Sequence, residues 1–127
     1  MSEEQNGVIE LTLDNFHGVT QSDDVVVIDI SATWCTPCKA FAAVFEKAAE
    51  RGEEEVRFAT VDADTQPELG NAFNVESIPT VAVMRGGALI FMHEGSLSEK
   101  ALLDVIEQAR AIDPGKVRAA ARTQAPA

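Results

Sequence analysis

Cys35 and Cys38 are the two cysteines of this chain, and both lie in the stretch ATWCTPCKAF, residues 32–41. A Cys-x-x-Cys pair has three chemical uses: a structural staple, half of a metal site, or a dithiol that opens and closes. Cys35 follows an apolar run through Ser31–Trp34 and opens a segment with helical periodicity. A helix N-terminus carries partial positive charge from its unpaired N–H groups, so a thiolate at position 35 is stabilised. Three residues on, Cys38 falls on the same helical face, and a disulfide can close with little backbone movement. So short a loop hardly restricts the unfolded chain, which makes the bond a weak staple. Reversible chemistry is therefore favoured over bracing. A structural zinc needs about four ligands. There is no second Cys-x-x-Cys, and His17 and His93 show no ligand spacing, so no metal site is expected. A metal shared between two chains and an inert reduced pair stand as the alternatives.

Pro37 suits the first helical turn, where its fixed φ fits and its missing N–H was unpaired anyway. Trp34 offers a flat apolar surface beside Cys35, and its place in a strand-to-helix turn favours partial exposure over a core role. Six residues before Cys35, Asp29 sits inside the near-continuous β-branched run Val25–Ile30. Such a run suits a central strand covered on both faces. A carboxylate there is costly when charged, so its pKa should rise. That suits a general base for deprotonating Cys38, through water if need be. The plainer reading is an Asp at a strand end bonding backbone amides.

The elements that must position these groups follow from periodicity. Strands are expected over Gly7–Leu11, Val25–Ile30, Val56–Val61, Thr80–Met84 and Ala88–Met92, the last two joined by the hairpin signal Arg85-Gly86-Gly87. Helices are expected after Thr12 as N-cap, from Cys35 to Arg51 with Gly52 as its stop, over Gln66–Phe73 with Pro67 in its first turn, and from 97 to 109. Ser96-Leu97-Ser98-Glu99 matches a capping box for the last of these. The order β-α-β-α-β-α-β-β-α predicts an α/β fold with a mixed central sheet of about five strands flanked by about four helices. One domain over 1–112 and a mobile tail over 113–127 are expected, with Val117–Arg122 able to add a helical turn or two. Phe16, Phe41, Phe45, Phe58 and Phe73 are expected in the core, His17 and His93 at the surface or an edge, and Glu53-Glu54-Glu55 in a solvated loop.

The chain has 127 residues and a formal net charge of -11. That argues against nucleic-acid binding through phosphates and against anionic membranes. The N-terminal stretch lacks a basic segment followed by an apolar run, so it does not read as a signal peptide. No apolar run approaches the roughly 20 residues that span a bilayer. A cytoplasmic location is expected, where structural disulfides are rare.

The segments LTLDNF (11–16), VVVIDISATWCTPCKAF (25–41), VDADTQPELGNAFNV (61–75), SIPTVAVMRGG (77–87) and HEGSLSEKALLDVI (93–106) stand in an order that resembles the thioredoxin family over about residues 8–112. The resemblance implies a thioredoxin fold and a protein-disulfide reductase. Cys35 would attack a substrate disulfide, Cys38 would resolve the mixed disulfide, and buried Asp29 would serve as the base. It implies a cis bond before Pro79 and a substrate groove formed by Trp34, Thr36, Pro37, Ile78, Pro79, Thr80, Gly95 and Ser96. No bound cofactor is implied. Electrons would come from NADPH through a separate thioredoxin reductase, the partners would be oxidised proteins, and the protein would act as a monomer. Three positions depart from the family pattern. Thr36 stands where Gly is usual, Ser31 where many members carry Trp, and Thr60 where many carry Lys. The loss at Ser31 opens the packing under the dithiol, and without a cation at 60 Asp29 should be harder to ionise. The alternative is a binding module, or an oxidase or isomerase, that uses the same groove around Cys35, Ile78-Pro79 and Gly95.

Overall fold

The computed structural model describes residues 4–5 and 7–124. The ends of the expected domain and tail, residues 1–3 and 125–127, lie outside the described residues. Among the described residues, six strands make one sheet in the order β1-β2-β4-β3-β5-β6. They are β1 (Glu4–Gln5), β2 (Val8–Glu10), β3 (Val25–Ser31), β4 (Val56–Asp62), β5 (Thr80–Arg85) and β6 (Ala88–Glu94). The helices are α1 (Leu13–Thr20), α2 (Thr36–Ala49), α3 (Pro67–Ala72), α4 (Glu99–Arg110) and α5 (Pro114–Gln124). The five longer strands are those expected; two-residue β1, antiparallel to β2, is additional.

β3 lies centrally: six of its seven residues are buried, five of them apolar and the sixth Asp29. It pairs in parallel with β4 and antiparallel with β5. Side chains alternate between sheet faces. Val25 and Val27 join Phe41, Phe45, Leu102 and Ile106 under α2 and α4. Val26, Ile28 and Ile30 join Leu69 and Phe73 on the face of α1 and α3. The same parity sends Asp29 and Ser31 to the α2 face. Thr60, opposite Asp29, and Glu10, opposite Thr60, share it. A polar set thus gathers at the carboxyl end of the parallel strands, beside the start of α2.

Two expectations are corrected. Ser96 does not cap α4: the N-cap is Ser98, whose hydroxyl accepts the Ala101 N–H at 3.1 Å. Gly95 N–H is held by the Pro79 carbonyl at 2.7 Å, so Ser96 belongs to the loop before the helix. The segment after residue 112 carries α5, longer than the turn or two expected. Arg85, 7% exposed, anchors what precedes it. Its guanidinium donates to the carbonyls of Ile112 at 3.0 Å, Asp23 at 2.7 Å and Arg110 at 3.3 Å, and Arg118 pairs with Asp23.

The β5–β6 turn uses positive φ at Gly86 and Gly87, the conformation of tight hairpins. A Cβ on Gly86 would also lie 2.6 Å from the Pro114 carbonyl oxygen. Gly86→Ala is therefore expected to destabilise the fold by about 2–3 kcal/mol. Urea titration checks this: the midpoint should fall with the slope unchanged.

Candidate functional site

Cys35 is the N-cap of α2, and its sulfur accepts the Cys38 N–H at 3.2 Å. The two residues form a disulfide with Cα atoms 5.2 Å apart. Sequence reasoning placed both at the helix start; the structure adds that a backbone N–H points at the Cys35 sulfur. When the bond opens, that N–H and the helix terminus stabilise a thiolate on Cys35. Cys35 is 5% exposed and Cys38 3% exposed, packed with Ala32 and Ile78.

The residues expected to frame the pair fall into two groups. Trp34, Thr36 and Pro37 are exposed beside it. Ile78 is half-buried, its peptide to Pro79 is cis, and its carbonyl oxygen lies 4.0 Å from the Cys35 sulfur. Gly95 has φ of +105°, which favours glycine, and Ser96 beside it is exposed. Thr80 stands apart from this surface. It is fully buried, and its hydroxyl donates to the Ser77 carbonyl at 2.6 Å. Thr80 braces the Pro79 loop from beneath and presents nothing to a ligand.

Asp29 is 1% exposed. Among the described residues its Oδ1 has no hydrogen-bond partner, so that oxygen does not bond the backbone amides of the plainer reading. Burial alone pushes its pKa up from 3.8 to about 7. Asp29 and Cys38 line one cleft of about 270 Å3, together with Ser31, Lys39, Thr60 and Asp62. The carboxyl can therefore exchange its proton near neutral pH, in the cleft that Cys38 also lines.

Asp64 was missed by sequence reasoning. Its Oδ2 accepts the Trp34 indole N–H at 2.7 Å, and its own N–H is held by Asp62 Oδ1 at 2.9 Å. The Asp-x-Asp spacing at the end of β4 signals such a turn, but not its indole partner 30 residues away. Trp34 is 67% exposed, so this bond fixes a ring that packing leaves free. A hydrogen bond of this kind contributes about 1 kcal/mol. Asp64→Ala should therefore lower kcat/KM for protein disulfides roughly fivefold and leave reaction with a small aromatic disulfide nearly unchanged; parallel kinetics on both substrates checks it.

Among the described residues no group of three or more His, Cys, Asp or Glu side chains is placed to hold a metal ion. None of the described helices is long and apolar enough to cross a membrane.

A sheet that delivers a cysteine pair to a helix N-terminus, with a cis-proline loop against the sulfur, defines a thiol-disulfide oxidoreductase. The thioredoxin family profile matches residues 7–108. A putative thioredoxin 2 of Streptomyces coelicolor is 47% identical over 116 residues, covering 91% of this chain and 86% of that one. A bifunctional thioredoxin reductase/thioredoxin of Mycobacterium leprae is 39% identical over 88 residues, which are 69% of this chain and 19% of that protein. Among solved structures, a mutant thioredoxin of Halobacterium salinarum superposes with a TM-score of 0.76 at 28% identity, covering 88% of this chain and 96% of that one. The chain belongs to the thioredoxin family, and its chemistry is dithiol/disulfide exchange through Cys35 and Cys38.

Proposed function

We propose that this protein reduces disulfides in other proteins, with Cys35 as nucleophile, Cys38 as resolving thiol and Asp29 as base. The observation that carries the reading is Cys35 as the N-cap of α2, its sulfur accepting the Cys38 N–H. The Cys35 thiolate attacks one sulfur of a substrate disulfide. The substrate bond breaks, a mixed disulfide forms, and the other substrate sulfur leaves as thiolate. Cys38 gives its proton to Asp29 and attacks the Cys35 sulfur. This reforms the internal disulfide and releases the second substrate thiolate, so two electrons pass to the substrate.

Trp34, Thr36, Pro37, Ile78, Gly95 and Ser96 form the substrate surface, and buried Pro79 sets the backbone of Ile78 through the cis bond. The half-buried Ile78 backbone can pair with an extended substrate strand. Thr80 supports that surface from behind. Residues 1–112 are the catalytic domain and 113–127 an appendage to it. The M. leprae relative, whose name joins the two activities, supports recharging by a separate NADPH-dependent thioredoxin reductase. The chain works as a cytoplasmic monomer in electron transport, without nucleic-acid or membrane partners. The acidic balance and a disulfide made to be reduced support that setting.

Two measurements test the reading. With NADPH and a thioredoxin reductase, the protein should drive reduction of insulin disulfides. In a glutathione redox titration, the Cys35–Cys38 pair should be poised at or below glutathione. A pair poised far above it would instead mark an oxidase or isomerase.

A further inference from the structure

Two carboxylates border the substrate surface without a counter-charge. Glu76 is exposed two residues before Ile78, in the loop that leads to the cis peptide at Pro79. Glu94, also exposed, ends β6 opposite Thr80, the residue after Pro79. The residue after Glu94, Gly95, gives its N–H to the Pro79 carbonyl at 2.7 Å. The two acids therefore flank the Ile78–Pro79 backbone, one along the chain and one across the sheet. Other exposed acids of this protein are paired: Glu99 with Lys47, Asp104 with Lys100 and Glu107 with Arg110. Among the described residues the side chains of Glu76 and Glu94 have no such partner. The basic side chains nearby pair with neither: Lys39 lines the cleft beside Asp29, and His93 lies against Gly95, 3.8 Å from where a Cβ would stand.

We propose that Glu76 and Glu94 select protein disulfides flanked by lysine or arginine and reject those flanked by aspartate or glutamate. An extended substrate segment alongside Ile78 advances about 3.3 Å per residue. The Debye length at physiological ionic strength is about 8 Å. Residues within two or three positions of the substrate cysteine therefore lie inside the field of one carboxylate or the other. Docking removes water from between the charges, which strengthens the attraction of a basic residue and the repulsion of an acidic one. Charges at the rim of an interface act mainly on the rate of encounter and on which partners are turned away. The thiol chemistry is unchanged: Cys35 attacks the same sulfur whatever the flanking residues. The inference rests on the reading of this surface as the place where protein disulfides dock, and it adds the charge of the substrate.

The test uses three disulfide-bridged peptides of one length, with lysine, glutamine or glutamate on both sides of each cysteine. The full-length protein, reduced beforehand, meets each in a single turnover that is quenched with acid and read by chromatography. At low salt the lysine peptide should react at least about tenfold faster than the glutamate peptide, with the glutamine peptide between them. At about 0.5 M salt the Debye length is about 4 Å, and the ratio should fall below about two. Glu76→Gln combined with Glu94→Gln should cut the low-salt ratio to about two or less and leave the rate of the glutamine peptide unchanged. Glu50 and Glu54 are exposed just past the far end of α2. Glu50→Gln combined with Glu54→Gln makes the same change in net charge and should leave the ratio intact. Equal rates for the lysine and glutamate peptides, a ratio that survives the Glu76 and Glu94 substitutions, or one that falls as far with the Glu50 and Glu54 substitutions would overturn the proposal. Failure of the underlying reading looks different: no peptide would be reduced, the glutamine one included, and the selection would fall with it.

Discussion

Cys35→Ser should reduce insulin-type disulfide reduction to the uncatalysed rate, a loss of three orders of magnitude or more, whereas Cys38→Ser should stop turnover while leaving the first attack intact. The contrast follows from where the two sulfurs sit. Cys35 receives the Cys38 N–H and the positive end of α2, which favour a thiolate there once the disulfide opens. Serine there has no accessible anion. Cys38 is 3% exposed beside a buried carboxyl, so a protein substrate meets it only after Cys35 has reacted. The Cys38→Ser protein should therefore accumulate a covalent complex with oxidised insulin, visible by non-reducing electrophoresis and dissolved by dithiothreitol. No complex from Cys38→Ser, or turnover surviving in Cys35→Ser, would remove the assigned roles. A protein acting only as a binding module would lose neither partner capture nor function when both cysteines become serine.

Much of the site could be read before folding, because its signals are local. The β-branched run Val25–Ile30 marked a covered strand, and its length set Asp29 inside it. Which face of the sheet Asp29 takes emerged only with the fold, which sets it in a cleft with α2 residues. Cys35, Pro37 and Cys38 carried their own helix-start chemistry. What sequence reasoning missed depends on contacts between distant segments. Pro114-Gly115 reads as a helix end, yet Pro also suits a first helical turn, and α5 begins there. Arg85 holds the Ile112 carbonyl just before it; nothing near residue 112 announces a guanidinium from β5. The Ser96 to Glu99 spacing fits a capping box as a string. Gly95 is tied to Pro79, however, and that bond leaves Ser98 to cap. The cleft is the clearest case. Each short residue around it is ordinary alone, and the opening at Ser31 noted from the family pattern becomes a space of definite volume only when three elements converge.

Asp29 should make the oxidised protein less stable as pH rises from 4 to 8, and Asp29→Asn should remove that dependence. The carboxyl's pKa is raised from 3.8 to about 7 by burial. Below 3.8 it is protonated in both folded and unfolded chains and its ionisation costs nothing. Between 3.8 and 7 the unfolded chain has released the proton and the native state keeps it. The native state then binds more protons, so stability falls with rising pH. Above 7 the native carboxyl ionises too, and the loss levels off. At about 1.36 kcal/mol per pH unit, the wild type should lose about 3–4 kcal/mol relative to Asp29→Asn between pH 4 and 8. Urea unfolding at the two pH values measures it, and parallel curves would show that burial does not hold the proton. On the proposed mechanism the same group also sets the rate of turnover. A base with a pKa of about 7 is half available at neutral pH, and general-base assistance contributes about a hundredfold or more. Asp29→Asn should therefore slow release of the mixed disulfide about a hundredfold at pH 7.5, barely change the first attack by Cys35, and erase the inflection near pH 7 in the resolving step. The stability lost as pH rises and the proton transfer proposed from Cys38 would have one origin, a carboxyl that the sheet and α2 have largely taken out of water.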